Sequence, residues 1–213
     1  MDEYPRVFVL LEGYCRRADA ECSDGYEEAS GTVTLIVTRE RKILVDCGDP
    51  WNGACIVEEA NDFFLALSKY SLSCNDITDL IITHGHSDHC GNMSLFQQAT
   101  IYMADDNARD GWYYTYTVLF RLLNFFDPRM LDNCVEIRLT PGHTDHDRSV
   151  IVTNTEFGTI AVVGDIFEEK DDVKTWRKNS KYPQDQERSR EAILQVADWI
   201  IPGHGQMFKN LRK

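Results

Sequence analysis

The sequence predicts an α/β fold in which two mixed β-sheets pack face to face with helices outside, as one domain over residues 1–213. Three observations predict it. Short β-branched runs alternate with segments of helical period. The alternation passes through two successive halves. Each half opens with hairpin-like strands, and 213 residues can bury one sizeable core.

Residues 6–12 (RVFVLLE) read as a first strand, and the polar, acidic stretch 15–30 as a surface loop. Residues 32–38 (TVTLIVT) alternate with period two, predicting a strand with one buried face. A charged turn at 39–42 leads into a strand at 43–48 that ends in Asp46 and a glycine turn, so the two strands form a hairpin. Ile56, Phe63, Phe64, Leu67 and Tyr70 suit an amphipathic helix over 54–70. A strand ends at His84, a helix over 88–98 follows, and 100–103 is a short strand. The aromatic stretch 106–133 reads equally well as strand or helix. It is expected as an insert over the site or at a subunit contact, or else as extra core packing. Strands are expected at 135–140, 149–153 and 159–165. The charged stretch 169–182 reads as exposed. Pro183 opens a helix to about Val196 with Arg188, Arg190 and Glu191 solvated and Ala192, Ile193 and Val196 buried. A last strand at 199–201 ends in Pro202-Gly203-His204-Gly205.

Composition narrows the function. The formal net charge is −13, which disfavours tight non-specific binding to nucleic acid but leaves room for a local basic cleft. No stretch approaches the roughly 20 apolar residues that cross a bilayer, and the start lacks a secretory pattern, so an intracellular protein with no membrane partner is expected. Seven scattered cysteines without a CxxC pair read as free thiols.

The chemistry concentrates in residues 81–92 (IITHGHSDHCGN). Three histidines and an aspartate fall within six residues, directly after an apolar strand. Imidazole and carboxylate suit zinc and similar divalent cations, and Gly85 permits a sharp turn. Of six histidines, His84, His86, His89, His143 and His204 lie at predicted strand ends, as does Asp165. With Asp88 they make seven candidate ligands, enough for two ions. Two cations about 3.5–4 Å apart can hold a hydroxide between them and lower its pKa toward neutrality. No Ser or Cys nucleophile is then needed, and Asp88 can orient the hydroxide and take its proton. Cys90 reads as a small residue behind the loop rather than a ligand. His146 reads first as a solvated histidine and second as a substrate contact.

The series His84-x-His86-x-Asp88-His89, Thr140-Pro141-Gly142-His143, Gly164-Asp165 and Pro202-Gly203-His204-Gly205 resembles the metallo-β-lactamase fold superfamily, over about residues 31–208. The resemblance implies the αββα sandwich and a dinuclear hydrolase. It assigns His84, His86 and His143 to one metal, Asp88, His89 and His204 to the other, and Asp165 to both. Asp46 would orient the metal loop, with a turn-forming aspartate as the alternative. Zinc is the expected metal, and the same ligands accept iron or manganese.

Stretches 83–96, 164–168, 186–190 and 196–205 resemble a small animal branch of that superfamily. That likeness implies an endoribonuclease of cytoplasm and nucleus, a homodimer, which cleaves the 3′ end of histone pre-mRNA. Arg148, Lys174, Arg177 and Lys178 are then candidate phosphate contacts, with a solvated basic run as the alternative. A glyoxalase II-like hydrolase of thioesters or small esters is the second reading, favoured by the net charge. A non-catalytic binding protein is the third, opposed by the complete ligand set.

Overall fold

The computed structural model describes residues 5–17, 27–49, 66–104, 106–109, 112–113, 129–173 and 175–213. Strands β1 (Arg6–Leu11), β4 (Val33–Val37), β5 (Lys42–Val45), β6 (Asp79–Ile81), β7 (Thr100–Met103), β8 (Asp106–Arg109) and β9 (Trp112–Tyr113) form one sheet in that spatial order. The second sheet runs β10 (Arg129–Met130), β11 (Val135–Leu139), β12 (Arg148–Thr155), β13 (Gly158–Val162), β14 (Trp199–Ile201) and β15 (Phe208–Lys209). Between β1 and β4 in sequence, β2 (Tyr14–Arg17) and β3 (Glu27–Ser30) pair as a separate antiparallel ribbon. Stretch 15–30 is therefore not all loop.

Both sheets are mixed. In the first, β4 pairs antiparallel with β5, and β5, β6 and β7 run parallel. In the second, β13 and β14 are parallel and the other pairs antiparallel. Ile36, Ile43, Val45 and Ile81 from the first sheet pack against Val135, Ile137, Val150, Val152, Ile160, Val162 and Ile201 from the second. This shared core is the face-to-face contact. Each fully buried Val, Leu or Ile contributes about 1.5–3 kcal/mol through loss of water contact. The outer face of the first sheet, with Leu35, Leu44 and Leu80, is covered by Leu67, Ile77 and Phe96. The outer face of the second, with Ile151, Ala161 and Ile200, is covered by Phe167, Ile193 and Ala197. So β4 is buried on both faces, not one, because a covered sheet has no wet side.

Three described helices matter for the site: α1 (Ser87–Cys90), α2 (Trp176–Asn179) and α3 (Pro183–Val196). The helix expected over 88–98 stops after one turn, followed by a 3-10 turn at Met93–Leu95. Asn92 explains the break: its N–H donates to Gly48 O and its amide to Cys47 O, tying the chain to the end of β5. Of the helix expected over 54–70, residues 54–65 lie outside the described residues, and 66–68 are helical. Of the aromatic stretch, 106–109 and 112–113 extend the first sheet, while 114–128 lie outside the described residues. The helix from Pro183 to Val196 is present, but Arg190 and the stretch before it are not simply solvated. Asp172 and Trp176 are buried, and Arg190 packs onto them. No helix among the described residues is long and apolar enough to cross a membrane. Cys15, Cys47, Cys74, Cys90 and Cys134 are free thiols.

Candidate metal centre

Strand direction gathers the site. Parallel β5 and β6 of one sheet, and β11, β13 and β14 of the other, end at the same edge of the sandwich. Carboxyl ends of parallel strands are where α/β sheets place ligands. There the chain after β5 supplies Asp46, after β6 His84 to His89, after β11 His143, after β13 Asp165 and after β14 His204.

Seven side chains meet in two groups: His84, His86, His143 and Asp165, and Asp88, His89 and His204. In the first, His86 Nδ1 stands 2.9 Å from His84 Nε2 and 3.1 Å from His143 Nε2. Asp165 Oδ2 lies 3.5 Å from His84 Nε2 and 3.3 Å from His143 Nε2. The other oxygen, Oδ1, turns to the second group, 3.2 Å from His89 Nε2 and 3.3 Å from His204 Nε2. Asp88 Oδ2 completes that group at 3.5 Å from His89 Nε2 and 3.7 Å from His204 Nε2. Asp165 is thus shared, one oxygen to each side.

The groups fit divalent ions on three counts. Atoms bonded at about 2.0–2.2 Å around a tetrahedral ion stand roughly 3.3–3.6 Å apart, close to the spacings here. His89 Nε2 and Asp165 Oδ1 are buried and make no hydrogen bond, although buried polar atoms normally find one. Three of the five histidines are also held from behind. His89 Nδ1 donates to Asp46 Oδ2 at 2.7 Å, His84 Nδ1 to Thr83 Oγ1 at 3.1 Å and His204 Nδ1 to Ser30 O at 3.0 Å. Each bond leaves the Nε2 lone pair facing the centre, as metal-ligating histidines require.

Asp46 coordinates this support. Its Oδ1 accepts from Thr83 N at 2.7 Å and its Oδ2 from Thr83 Oγ1 at 2.7 Å, so one carboxylate fixes both the entry to the metal loop and the His89 ring. Its backbone is left-handed, with φ of 58°, a conformation uncommon outside glycine. Asp147 does a similar service for His143. It accepts from Gly142 N and from Thr144 N and Oγ1, closing the loop that carries the ligand.

The electrostatics of the two groups differ. Burial, with help from His89, pushes His84 well below the usual histidine range, and burial takes His143 down to about 4. For His89 burial acts the same way, but the carboxylates of Asp165 and Asp46 outweigh it and raise the ring well above the usual range. His204 is raised against burial by Asp165. Asp165 is held well below the usual carboxylate range despite burial, by His89 and His204. Positive charge is what this carboxylate lacks, whether from a proton or an ion.

The remaining sequence candidates sit elsewhere. Cys90 is half-buried against the outer core, and burial raises its thiol. His146 is exposed on the loop after His143. Arg148 is buried rather than open at the surface, and its backbone N–H donates to Thr83 O at 2.8 Å, which ties β12 to the metal loop. Arg177 is exposed and paired with Glu187 at 2.5 Å, Lys178 is exposed, and Lys174 lies outside the described residues. Sequence reasoning missed Thr83 and Asp147, whose hydroxyl and carboxylate are visible in the motifs without a stated task. It missed the Ser30 carbonyl, which carries no sequence signal at all. Gly203, in the Pro202-Gly203-His204-Gly205 motif, has a steric reason: a Cβ there would collide with Asp165 Oδ1.

Comparison with known proteins agrees with this geometry. The model of the metallo-beta-lactamase superfamily matches residues 27–204. Metallo-beta-lactamase domain-containing protein 1 of Xenopus laevis is 38% identical over 97% of this chain and 82% of its own length. The Homo sapiens protein of the same name is 35% identical over 97% and 83%. A putative metallo-beta-lactamase from Thermotoga maritima superposes with a TM-score of 0.67 at 18% identity, covering 97% of this chain and all of that one, which shows a shared fold. The chain belongs to the metallo-β-lactamase superfamily, and its His/Asp cluster is that of a metal-dependent hydrolase.

Proposed function

We propose that this member of the metallo-β-lactamase superfamily is a dinuclear hydrolase that cuts a phosphodiester bond of single-stranded RNA, the 3′ end of histone pre-mRNA. The observation that carries the dinuclear reading is the division of Asp165, Oδ2 toward one histidine group and Oδ1 toward the other. His84, His86 and His143 would hold one ion, Asp88, His89 and His204 the second, with Asp165 common to both. When bound, two divalent ions supply Lewis acidity and bring the pKa of water toward neutrality.

The chain's own residues do the rest. Asp88 is part-exposed and faces the centre with one oxygen, so it can orient an attacking water and accept its proton. His86 is exposed where the other ligands are mostly buried, which marks the mouth through which substrate enters. Asp46, Thr83 and Ser30 hold the rings of His84, His89 and His204, so the donor set is preorganised.

The RNA reading rests on the resemblance of residues 83–96, 164–168 and 186–190 to the animal branch described above. The same resemblance supports action as a homodimer in cytoplasm and nucleus. Zinc heads the candidate metals on ligand chemistry, before iron and manganese. One observation favours a second reading: a net charge of −13 suits a small thioester or ester better than a polyanion.

Metal analysis of purified protein should find close to two ions per chain, and one or none would sink the dinuclear assignment. The protein should cleave a single-stranded histone pre-mRNA fragment, and Asp88→Ala or His89→Ala should abolish cleavage. Intact RNA together with rapid thioester turnover would establish the second reading instead.

A further inference from the structure

Lys181 lies at the junction of α2 and α3, and this junction is bound to the metal site by its backbone. Lys181 N–H donates to His143 O at 3.2 Å and Tyr182 N–H to Gly142 O at 2.8 Å. The Ser180 hydroxyl donates to the same Gly142 O at 2.9 Å. The Cα of Lys181 therefore has a fixed position beside a metal ligand.

Its side chain is exposed, and no acidic group among the described residues pairs with it. The nearby arginines are engaged, Arg177 with Glu187, Arg188 with Asp185 and Arg190 with Asp172, while Lys178 is exposed like Lys181. Lys181 is also on the His86 side of the mouth. Its backbone bonds the carbonyl of His143, whose ring Nε2 stands 3.1 Å from His86 Nδ1.

The distribution of charge points the same way. Residues 170–213 carry ten Lys and Arg against six Asp and Glu, whereas residues 1–169 carry twelve against twenty-nine. A segment of net positive balance that passes the metal site, in a protein otherwise strongly acidic, gives a local field for anions there.

We propose that Lys181 is a substrate-binding residue whose ammonium holds an anionic group, phosphate or carboxylate, next to the bond that is cleaved. The proposal rests on the hydrolase reading of the site, not on RNA as its substrate. An RNA phosphate and the carboxylate of a glutathione thioester offer the same chemistry to Lys181. Tyr182, 43% exposed beside it, offers a ring face on which a nucleobase stacks and glutathione does not.

The test uses the metal-loaded protein and two anionic probes. Binding of a fluorescein-labelled 15-nucleotide single-stranded RNA is followed by anisotropy. Turnover of a glutathione thioester is followed relative to neutral p-nitrophenyl acetate. Lys181→Gln should weaken RNA binding, or the selectivity for the anionic over the neutral ester, by about 10- to 100-fold, as for a lost charged hydrogen bond. Lys181→Arg should restore most of it. For RNA, the salt slope should also fall by about 1. Unchanged binding and selectivity in Lys181→Gln would overturn the proposal, as would equal losses on anionic and neutral esters. So would wild-type protein that engages neither anionic probe. Loss on the thioester alone, with RNA never bound, keeps Lys181 and sinks the RNA reading. RNA bound and cut equally by wild type and Lys181→Gln does the reverse. Tyr182→Ala should weaken RNA alone.

Discussion

Two buried polar clusters flank the segment from Asp165 to Asp172, and they are satisfied in opposite ways. At Asp172 the protein supplies every partner. Arg190 Nη2 meets Asp172 Oδ1 at 2.6 Å, and Nη1 donates to Asp172 Oδ2 and to Ile166 O. Glu168 N–H donates to the same carboxylate, and Phe167 and Trp176 cover the guanidinium. At Asp165 the protein stops short. Carboxylate and imidazole face each other at 3.2–3.5 Å, and the buried Oδ1 accepts no hydrogen bond. An internally complete cluster is structure, because nothing remains to bind. A cluster whose buried atoms are aimed at one another without bonding is a receptacle, since an unpartnered buried polar atom costs about 1–3 kcal/mol unless something completes it.

The contrast makes separate predictions for the two clusters. Asp165→Ala has the largest expected effect: it removes a ligand from both groups. Activity should fall by about three orders of magnitude and metal content below two ions per chain. Two ions retained in active protein would refute the receptacle reading. Asp172→Ala should do the opposite. It strands Arg190 in an apolar setting and should cost about 3–5 kcal/mol in urea unfolding, with two ions still bound below the transition. Normal stability with lost metal would merge the clusters into one.

Asp46→Ala tests the support behind the ligands. Freed Thr83 and His89 should lower metal affinity by about 10- to 100-fold, measured by competition with a chelating dye, with a smaller change in stability. The smallest effect is on pH. In chelator-treated protein, His143 has its folded pKa depressed to about 4. Its contribution is present above the unfolded value, about 6.5, and is lost as pH falls toward 4. His89 has its folded pKa raised. Its contribution is present below about 6.5 and is lost as pH rises through the raised value. Urea midpoints of chelated protein should therefore fall off on both sides of about pH 6.5, and a monotonic profile would contradict the assignment of opposite charge states to the two groups.

The ligand residues were legible in the sequence because each follows an apolar β-run and is marked by glycine or proline. Period and punctuation are local properties. The same holds for β1, β4 to β7, β11 to β14 and the Pro183 helix. Other features were not legible. Arg190 looked solvated, since a charged residue on an exposed-looking helix gives no hint that Asp172 and Trp176 will close over it. The one-turn α1 looked longer, because Asn92 is tied to β5, which is distant in sequence. The burial of Arg148, a candidate phosphate contact by residue type, also has no sequence signal.

By itself the sequence determined the fold class, the superfamily and which seven side chains could hold metal, since these follow from residue type, order and spacing along one strand end after another. Only the tertiary structure decided that Asp165 divides its two oxygens between the groups, that Asp46, Thr83 and Ser30 fix which imidazole nitrogen faces inward, and that the Lys181 backbone is bonded to the carbonyl of His143. Those are relations between segments tens to nearly two hundred residues apart. They exist only once parallel strands from two sheets bring their carboxyl ends to the same edge.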